Sequence, residues 1–281
     1  MGSATVLKLK IPVGKWLISA YKHDETSFVK GSATLMQSAT HSPLYVTKEL
    51  FETRYQGAEM IFLAGSVVRG EATAHSDLDL VVLFPKVDAA YRESFFHKGW
   101  PVEAFIHDLE TLQYFFDHVD RQMGRATLSE MVAEGHEIPG PTERSMKLKT
   151  IAQQVLSRGP SPLAEEEVQD RRYHISELLD DLRAPRSHQE LIAAGTAVYT
   201  ELADFYFRSR GHWTAWGKSI LKRMKKTDPA LARRFSEAFD DLFQAGQAQK
   251  VIQIGEEILQ PQGGLLFEGY RRAVPASWKS K

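Results

Sequence analysis

Short apolar runs separated by turn residues mark the chain between residues 60 and 106. The first run, 60–64, stops at Gly65-Ser66, and the second, 78–84, ends before a proline. A third run, 102–106, follows the turn residues Gly-Trp-Pro at 99–101. Runs of this length predict three buried strands.

Helical spacing of apolar residues marks other parts of the chain. It predicts helices over 48–55 and 109–123, and beyond about residue 142 it predicts helices over 143–157, 163–182, 188–208 and from Asp228-Pro229 onward. Residues 6–11 alternate as a strand does. We therefore expect an α/β domain over 1–142 and a helical domain over 143–281, an α+β protein as a whole.

Composition narrows the classes of function. Hydrophobic residues make up 43% of the chain and charged residues 25%, and the formal charge is -1. A near-neutral chain has no global field to hold a polyanion, so a large nucleic acid is disfavoured as partner. The absence of cysteine excludes disulfides and thiolate metal sites. No apolar run has signal-peptide or membrane-spanning character, so we expect a cytoplasmic protein with no membrane partner.

The segment from Gly65 to Asp79 carries the chemistry. A strand that ends at Gly65-Ser66 and gives way to a short helix would offer free backbone N–H groups to a phosphate. Arg69 follows one turn later. Asp77 and Asp79 are two residues apart in an otherwise apolar strand, so both carboxylates fall on one face. Such a pair repels unless a cation lies between its members.

Glu103 offers a third carboxylate, early in the third predicted strand. If that strand pairs beside the Asp77–Asp79 strand, Glu103 faces the same site. Hard divalent cations such as Mg²⁺ bind carboxylates together with substrate phosphates. Three acidic groups beside a Gly-Ser loop would suit two-metal phosphoryl or nucleotidyl transfer.

These residues resemble a known family. Gly65-Ser66, Arg69-Gly70 and the run from Ser76 to Leu80, with Glu103 downstream between hydrophobic residues, are similar to the motif of the polymerase-beta-like nucleotidyltransferases. The layout of a small catalytic domain followed by a helical domain is similar to the aminoglycoside nucleotidyltransferases. The resemblance implies a mixed sheet flanked by helices, an NTP donor and two Mg²⁺ ions.

The resemblance also implies residue roles. Asp77 and Asp79 would bind both metals, and Glu103 would hold the catalytic metal or act as the base. Gly65, Ser66, Arg69 and Ser76 would bind the nucleotide phosphates. Asp108 and Glu93 are nearby alternatives for the third carboxylate.

A basic cluster lies in the helical half. Lys218, Lys222, Lys225 and Lys226 fall at i, i+4, i+7 and i+8, which would place them on one helix face. Lys218 is a candidate for the triphosphate, by resemblance to a helical-domain lysine of the aminoglycoside relatives. A solvated helix end and a short RNA contact are the alternatives.

The sequence thus predicts an enzyme that transfers NMP from an NTP, by expectation ATP, to a hydroxyl of a small molecule, releasing pyrophosphate. Transfer to RNA or protein is one alternative. A nucleotide-binding regulator or antitoxin-like module without turnover is another.

Overall fold

The computed structural model describes residues 41–274, so the strand expected over 6–11 lies outside the described residues. The chain divides into two compact units. The first comprises the described residues up to Val119 together with Leu128–Gln153, and the second comprises Asp120–Thr127 and the described residues from Gln154 onward. The domain boundary that the sequence predicts between residues 142 and 143 stays a prediction.

A five-stranded mixed sheet forms the centre of the first unit. Its strands are β1 (Met60–Ala64), β2 (Leu78–Leu83), β3 (Tyr91–His97), β4 (Trp100–His107) and β5 (His136–Ile138), in the order β3-β4-β2-β1-β5. Only β2 and β4 pair in parallel, and the other pairs are antiparallel. The α+β fold class and the strands predicted over 60–64, 78–84 and 102–106 are confirmed.

The strand β3 was not among the predicted strands. It pairs with β4 through a two-residue turn whose central residues, Lys98 and Gly99, have φ of 48° and 83°. Positive φ at both positions is typical of a type I′ hairpin, in which the turn twists in the same sense as the strands. The hairpin carries β3 to the edge of the sheet, next to Glu103.

Helices cover the sheet in the first unit. They are α1 (Pro43–Thr53), α2 (Leu109–Tyr114), α4 (Thr127–Glu134), whose first residue counts with the second unit, and most of α5 (Glu143–Arg158). Val46 and Leu50 of α1 pack on the apolar face of β1, β2 and β4. The helix predicted over 109–123 is α2 followed by a π-helical turn, Phe115–Asp120, and the short α3, Arg121–Met123.

Five helices form the body of the second unit within its described part: α6 (Glu165–Arg183), α7 (His188–Ser209), α8 (Ile220–Thr227), α9 (Pro229–Ala245) and α10 (Gln249–Leu259). The Asp228 side chain accepts a hydrogen bond from the Leu231 amide at 2.9 Å, and Pro229 opens α9, as predicted. Phe205, Phe207 and Phe235 lie fully buried among the helices. Among residues 41–274, no helix is both long and apolar enough to cross a bilayer.

A buried arginine of α7 joins residues 120–127 to the rest of the second unit. Arg208 is only 6% exposed and donates hydrogen bonds to the carbonyls of Ser161 and Gln122, at 3.0 and 3.4 Å. Gly124 packs so closely on the guanidinium that a Cβ there would overlap it. Arg208 thus adds side-chain donors to the backbone hydrogen bond from the Ser161 amide to the Arg121 carbonyl, 2.8 Å, which already joins the two loops.

Candidate metal and nucleotide site

Three carboxylates meet at one edge of the sheet. Asp77, Asp79 and Glu103 each offer a carboxylate oxygen, and these oxygens all lie within 4.8 Å of one another. All three residues are partly buried. Oxygen donors at this spacing are the ligands that a hard divalent cation takes, so the residues present fit a Mg²⁺ site.

The sheet register explains why the three meet. Asp79 and Glu103 are partners in the parallel pairing of β2 with β4, so their side chains stand side by side on one face. Asp77 precedes β2 by one residue and reaches the same face. The expectation that the strand of Glu103 pairs beside the strand of Asp79 is confirmed. The metal-binding and catalytic roles of the three residues stay predictions.

Gly65 lies against one of these carboxylates. Its φ is 77°, and a Cβ at this position would lie 2.9 Å from Cγ of Asp79 and closer still to Oδ2. The preceding residue, Ala64, is the partner of Asp79 in the antiparallel pairing of β1 with β2. Only glycine meets both demands, a left-handed backbone and an empty space for the carboxylate.

The segment after Gly65 is a turn. Residues 66–70, all within the described chain, form a hydrogen-bonded turn and not the short helix expected there. The Glu71 amide donates to the Ser66 carbonyl at 2.9 Å. Gly70 has φ of 70°, which ends any helical progression after one turn. Any backbone N–H groups offered to a phosphate after Gly65 therefore belong to a tight turn and not to the first turn of a helix.

Two serines connect this turn to the acidic segment. The Ser66 hydroxyl donates to the Ser76 hydroxyl at 3.0 Å, and the Thr73 amide donates to the same Ser76 oxygen at 2.8 Å. The structure thus brings together Ser66 and Ser76, ten residues apart in sequence. Their assignment to nucleotide phosphates stays a prediction.

Arg69 is tied to acidic neighbours in the first unit. Its Nε donates to Glu71 at 3.2 Å, and its Nη1 lies 3.6 Å from a carboxylate oxygen of Glu134. Its charge also acts on Asp79, whose pKa it lowers. Arg69 therefore contributes positive potential at the acidic cluster, while its role toward a nucleotide stays a prediction.

The environment of Asp79 disfavours its charge. Burial raises the pKa of this carboxyl most, and the negative charges of Asp77 and Glu103 raise it further, to about 7. The cations Arg69 and Arg92 act in the opposite direction. A cation placed among the three carboxylates would offset that repulsion, which is the electrostatic condition of a metal site.

Arg92 is a neighbour of the cluster that the sequence prediction missed. It lies on β3, and its Nη2 donates to Oε1 of Glu103 at 2.5 Å. The missed strand explains the missed residue, since the pairing of β3 with β4 is what brings Arg92 to Glu103. The signal that could have found it is the aromatic run around Phe95 followed by the Lys98-Gly99 turn.

The two alternative carboxylates are engaged elsewhere. Asp108 caps α2, accepting from the Thr111 amide at 2.9 Å, and these hydrogen bonds hold its pKa below its ordinary value against the effect of burial. Glu93 accepts from Arg54 at 2.7 Å and from the Tyr55 hydroxyl at 2.8 Å. Of the three candidates, Glu103 is the one that lies in the acidic cluster.

Lys218 is not on the same helix as the other basic residues. It lies in a 3-10 turn, Gly217–Ser219, and α8 begins only at Ile220. Gly217 has φ of 50°, which interrupts helical geometry at that point. The 3-10 turn leads directly into α8, which carries Lys222, Lys225 and Lys226, and a single basic face that includes Lys218 stays a prediction. A contact of Lys218 with the triphosphate stays a prediction.

One comparison with known protein families agrees with the site. Residues 45–121 match the family model of the nucleotidyltransferase domain, a range that includes all three carboxylates. A solved nucleotidyltransferase-like protein from Exiguobacterium sibiricum is similar at 14% identity and a TM-score of 0.39, over 78% of this chain and 74% of that one. No curated protein sequence matches the chain significantly. Residues 45–121 therefore form a domain similar to the nucleotidyltransferase domain, whose reaction is the transfer of a nucleoside monophosphate.

Proposed function

We propose that the chain transfers a nucleoside monophosphate from ATP to a hydroxyl group of a small molecule, with release of pyrophosphate. The observation that carries this proposal is the cluster of Asp77, Asp79 and Glu103 inside a matched nucleotidyltransferase domain. A domain that kept only the fold for binding would have no need of three carboxylates at mutual distances below 4.8 Å.

The acidic cluster would hold divalent metal, and we propose two Mg²⁺ ions. Asp77 and Asp79 would contribute oxygens to both ions, and Glu103 to one of them. Ions bound there would offset the negative charge that builds up as the phosphoryl group transfers. The raised pKa of Asp79 supports this assignment, because burial and the negative charges of Asp77 and Glu103 disfavour its ionised form, which a bound cation would stabilise.

The residues of the chain would act on the nucleotide and on the acceptor proton. Gly65, Ser66, Arg69 and Ser76 would bind the β- and γ-phosphates, through backbone amides, hydroxyls and a guanidinium. The acceptor oxygen forms a bond to the α-phosphorus, and the bond from that phosphorus to the pyrophosphate oxygen breaks. The hydroxyl proton would pass to Glu103 if this carboxylate is the base, or to solvent if it is only a ligand.

A small acceptor fits the charge of the chain. With 35 basic and 36 acidic residues, the protein lacks the net positive charge that phosphate-backbone contacts of a long RNA require. We place the reaction in the cytoplasm, as expected of a chain without cysteine and with an NTP substrate.

The test is pyrophosphate release from each of the four NTPs against a panel of hydroxyl compounds, with products identified by mass spectrometry. We expect a product heavier than one acceptor by one nucleoside monophosphate residue. Asp79→Asn should abolish it, and Asp88→Asn is the matched control, because Asp88 is an exposed aspartate of the same unit. Absence of product with every acceptor, or full activity of Asp79→Asn, would refute the proposal.

A further inference from the structure

We propose that Arg92 is a positioning residue that fixes the carboxylate of Glu103 and lowers the affinity of the cluster for free metal. This inference rests on the proposed function, because it assigns Glu103 to that site. It adds a residue of the edge strand β3 to those that determine catalysis.

Alternation along β3 sends neighbouring residues to opposite faces of the sheet. Arg92 contacts Glu103, while the next residue, Glu93, contacts Arg54 and Tyr55 at the other face. The register pairs Arg92 with Phe105 and Ser94 with Glu103, so the guanidinium reaches diagonally along the face that holds the acidic cluster.

The contact is short and mostly shielded from solvent. Nη2 of Arg92 lies 2.5 Å from Oε1 of Glu103, and the side chains are only 21% and 25% exposed. The guanidinium carbon also lies 5.3 Å from the centroid of the Phe105 ring, which restricts where the group can lie. A shielded, charge-assisted hydrogen bond of this kind holds a carboxylate more firmly than an exposed ion pair does.

The pair holds the carboxylate of Glu103 through Oε1, which accepts a hydrogen bond from Nη2 of Arg92. A free glutamate side chain can exchange its two oxygens by rotating about its last bond, and the guanidinium prevents that rotation. Glu103 is thus held in one orientation toward Asp79, its neighbour in the sheet register.

The charge of Arg92 disfavours metal binding, whereas its hydrogen bond favours the correct orientation of Glu103. The guanidinium contacts Glu103 directly, and the carboxylates of Asp77 and Asp79 lie within 4.8 Å of that of Glu103, so the field of the guanidinium reaches the whole cluster. The same field repels a divalent cation. Removal of the charge should therefore tighten binding of free metal while the loss of orientation slows transfer, two effects that a general disturbance of the fold would not separate.

The experiment compares the wild type with Arg92→Gln and Arg92→Lys. Mn²⁺ affinity is measured on the full chain without nucleotide by electron paramagnetic resonance, and kcat and KM for ATP by pyrophosphate release with the acceptor found above. For Arg92→Gln we expect Mn²⁺ to bind about three- to tenfold more tightly. We expect kcat to fall about 10- to 100-fold, with the KM for ATP within about twofold of wild type.

The conservative variant and a matched control complete the design. Arg92→Lys keeps the charge without the planar donor fork, so we expect wild-type Mn²⁺ affinity and only part of the kcat. This variant also keeps the test valid should Arg92→Gln fail to fold. Arg54→Gln is the control, since Arg54 pairs with Glu93 on the other face of β3, and it should change neither quantity.

Four results would overturn the proposal. They are unchanged kcat and Mn²⁺ affinity in Arg92→Gln, joint loss of Mn²⁺ binding and kcat, full kcat in Arg92→Lys, and the same effects in Arg54→Gln. Failure of the proposed function gives a different result, since the wild type would then release no pyrophosphate with any acceptor. The Mn²⁺ affinities of the wild type and the two Arg92 variants would still decide the effect of Arg92 on the cluster.

Discussion

Replacing Asp79 with Asn should stabilise the metal-free protein, although it removes a proposed metal ligand. The pKa of Asp79 is raised from 3.8 to about 7 by burial and by its acidic neighbours. Because the folded state binds this proton more tightly than the unfolded state, the free energy of unfolding falls as pH rises from about 4 to about 7. Above that range the ionised Asp79 destabilises the fold.

The size of the effect follows from the shift. The rise of this pKa from 3.8 to about 7 corresponds to about 4 kcal/mol, which is an upper limit. Asn removes the charge but leaves a partly buried amide to desolvate, so we expect a gain of about 2 kcal/mol at about pH 8. At about pH 4 the carboxyl of the wild type is protonated, and the two proteins should be equally stable.

Urea unfolding followed by circular dichroism, in the presence of a chelator, measures this difference at both pH values. Hydrogen–deuterium exchange of peptides over 60–83 assigns the change to the first unit. Asp88→Asn, at an exposed site, should leave both curves unchanged. Mg²⁺ at about 100 times its dissociation constant should then stabilise the wild type by about 2.7 kcal/mol and the Asp79 variant far less. A variant that is no more stable than the wild type at about pH 8 would refute the electrostatic reasoning.

Four further changes test other parts of the structure. Glu103→Gln should keep ATP binding and lose about 10²–10⁴-fold in kcat if Glu103 is the base, whereas a parallel loss of ATP affinity by calorimetry would assign it as a ligand. Gly65→Ala should cost about 1–2 kcal/mol of stability for its left-handed backbone alone, and its overlap with Asp79 should also weaken Mn²⁺ binding, so wild-type Mn²⁺ affinity would contradict the close contact. Arg208→Met should destabilise the second unit by about 1–3 kcal/mol for each carbonyl left unpaired, visible as faster hydrogen exchange over 120–127. Lys218→Ala should raise the KM for ATP and spare acceptor binding if this lysine binds the triphosphate, and unchanged kinetics would leave it a solvated residue.

The apolar runs predicted the strands that carry the acidic cluster, because β1, β2 and β4 are buried in the middle of the sheet and their sequences show it directly. The strand β3 was not predicted because it lies at the edge of the sheet, and its polar residues, which form ion pairs, interrupt the apolar pattern. The strand β5 has three residues, too few to show any period. The π-helical turn within 109–123 also escaped, because helical periodicity continues through it.

For the site, spacing placed Asp77 and Asp79 on one face, and Glu103 joined them on the condition that its strand pairs beside theirs. The ion pair of Arg92 with Glu103 could not be predicted, because it depends on the register of a strand that the pattern did not reveal. The contact of Gly65 with Asp79 is likewise a property of the antiparallel pairing, joining residues fourteen apart in the sequence. The spacing of the motif therefore predicts which acidic residues come together, whereas their contacts with Arg92 and Gly65 depend on the register of the sheet.

The packing of Gly65 against Asp79 has a thermodynamic consequence for the order in which ligands bind. The turn after Gly65 and the carboxylate of Asp79 adjoin, since an added Cβ at Gly65 would overlap that carboxylate. An anion that orders the turn therefore also restricts the carboxylate, and a cation held by the carboxylate restricts the turn. Linkage then requires each ligand to raise the affinity of the other by the same factor. Such reciprocity favours uptake of nucleotide and metal as one complex over stepwise loading of the two.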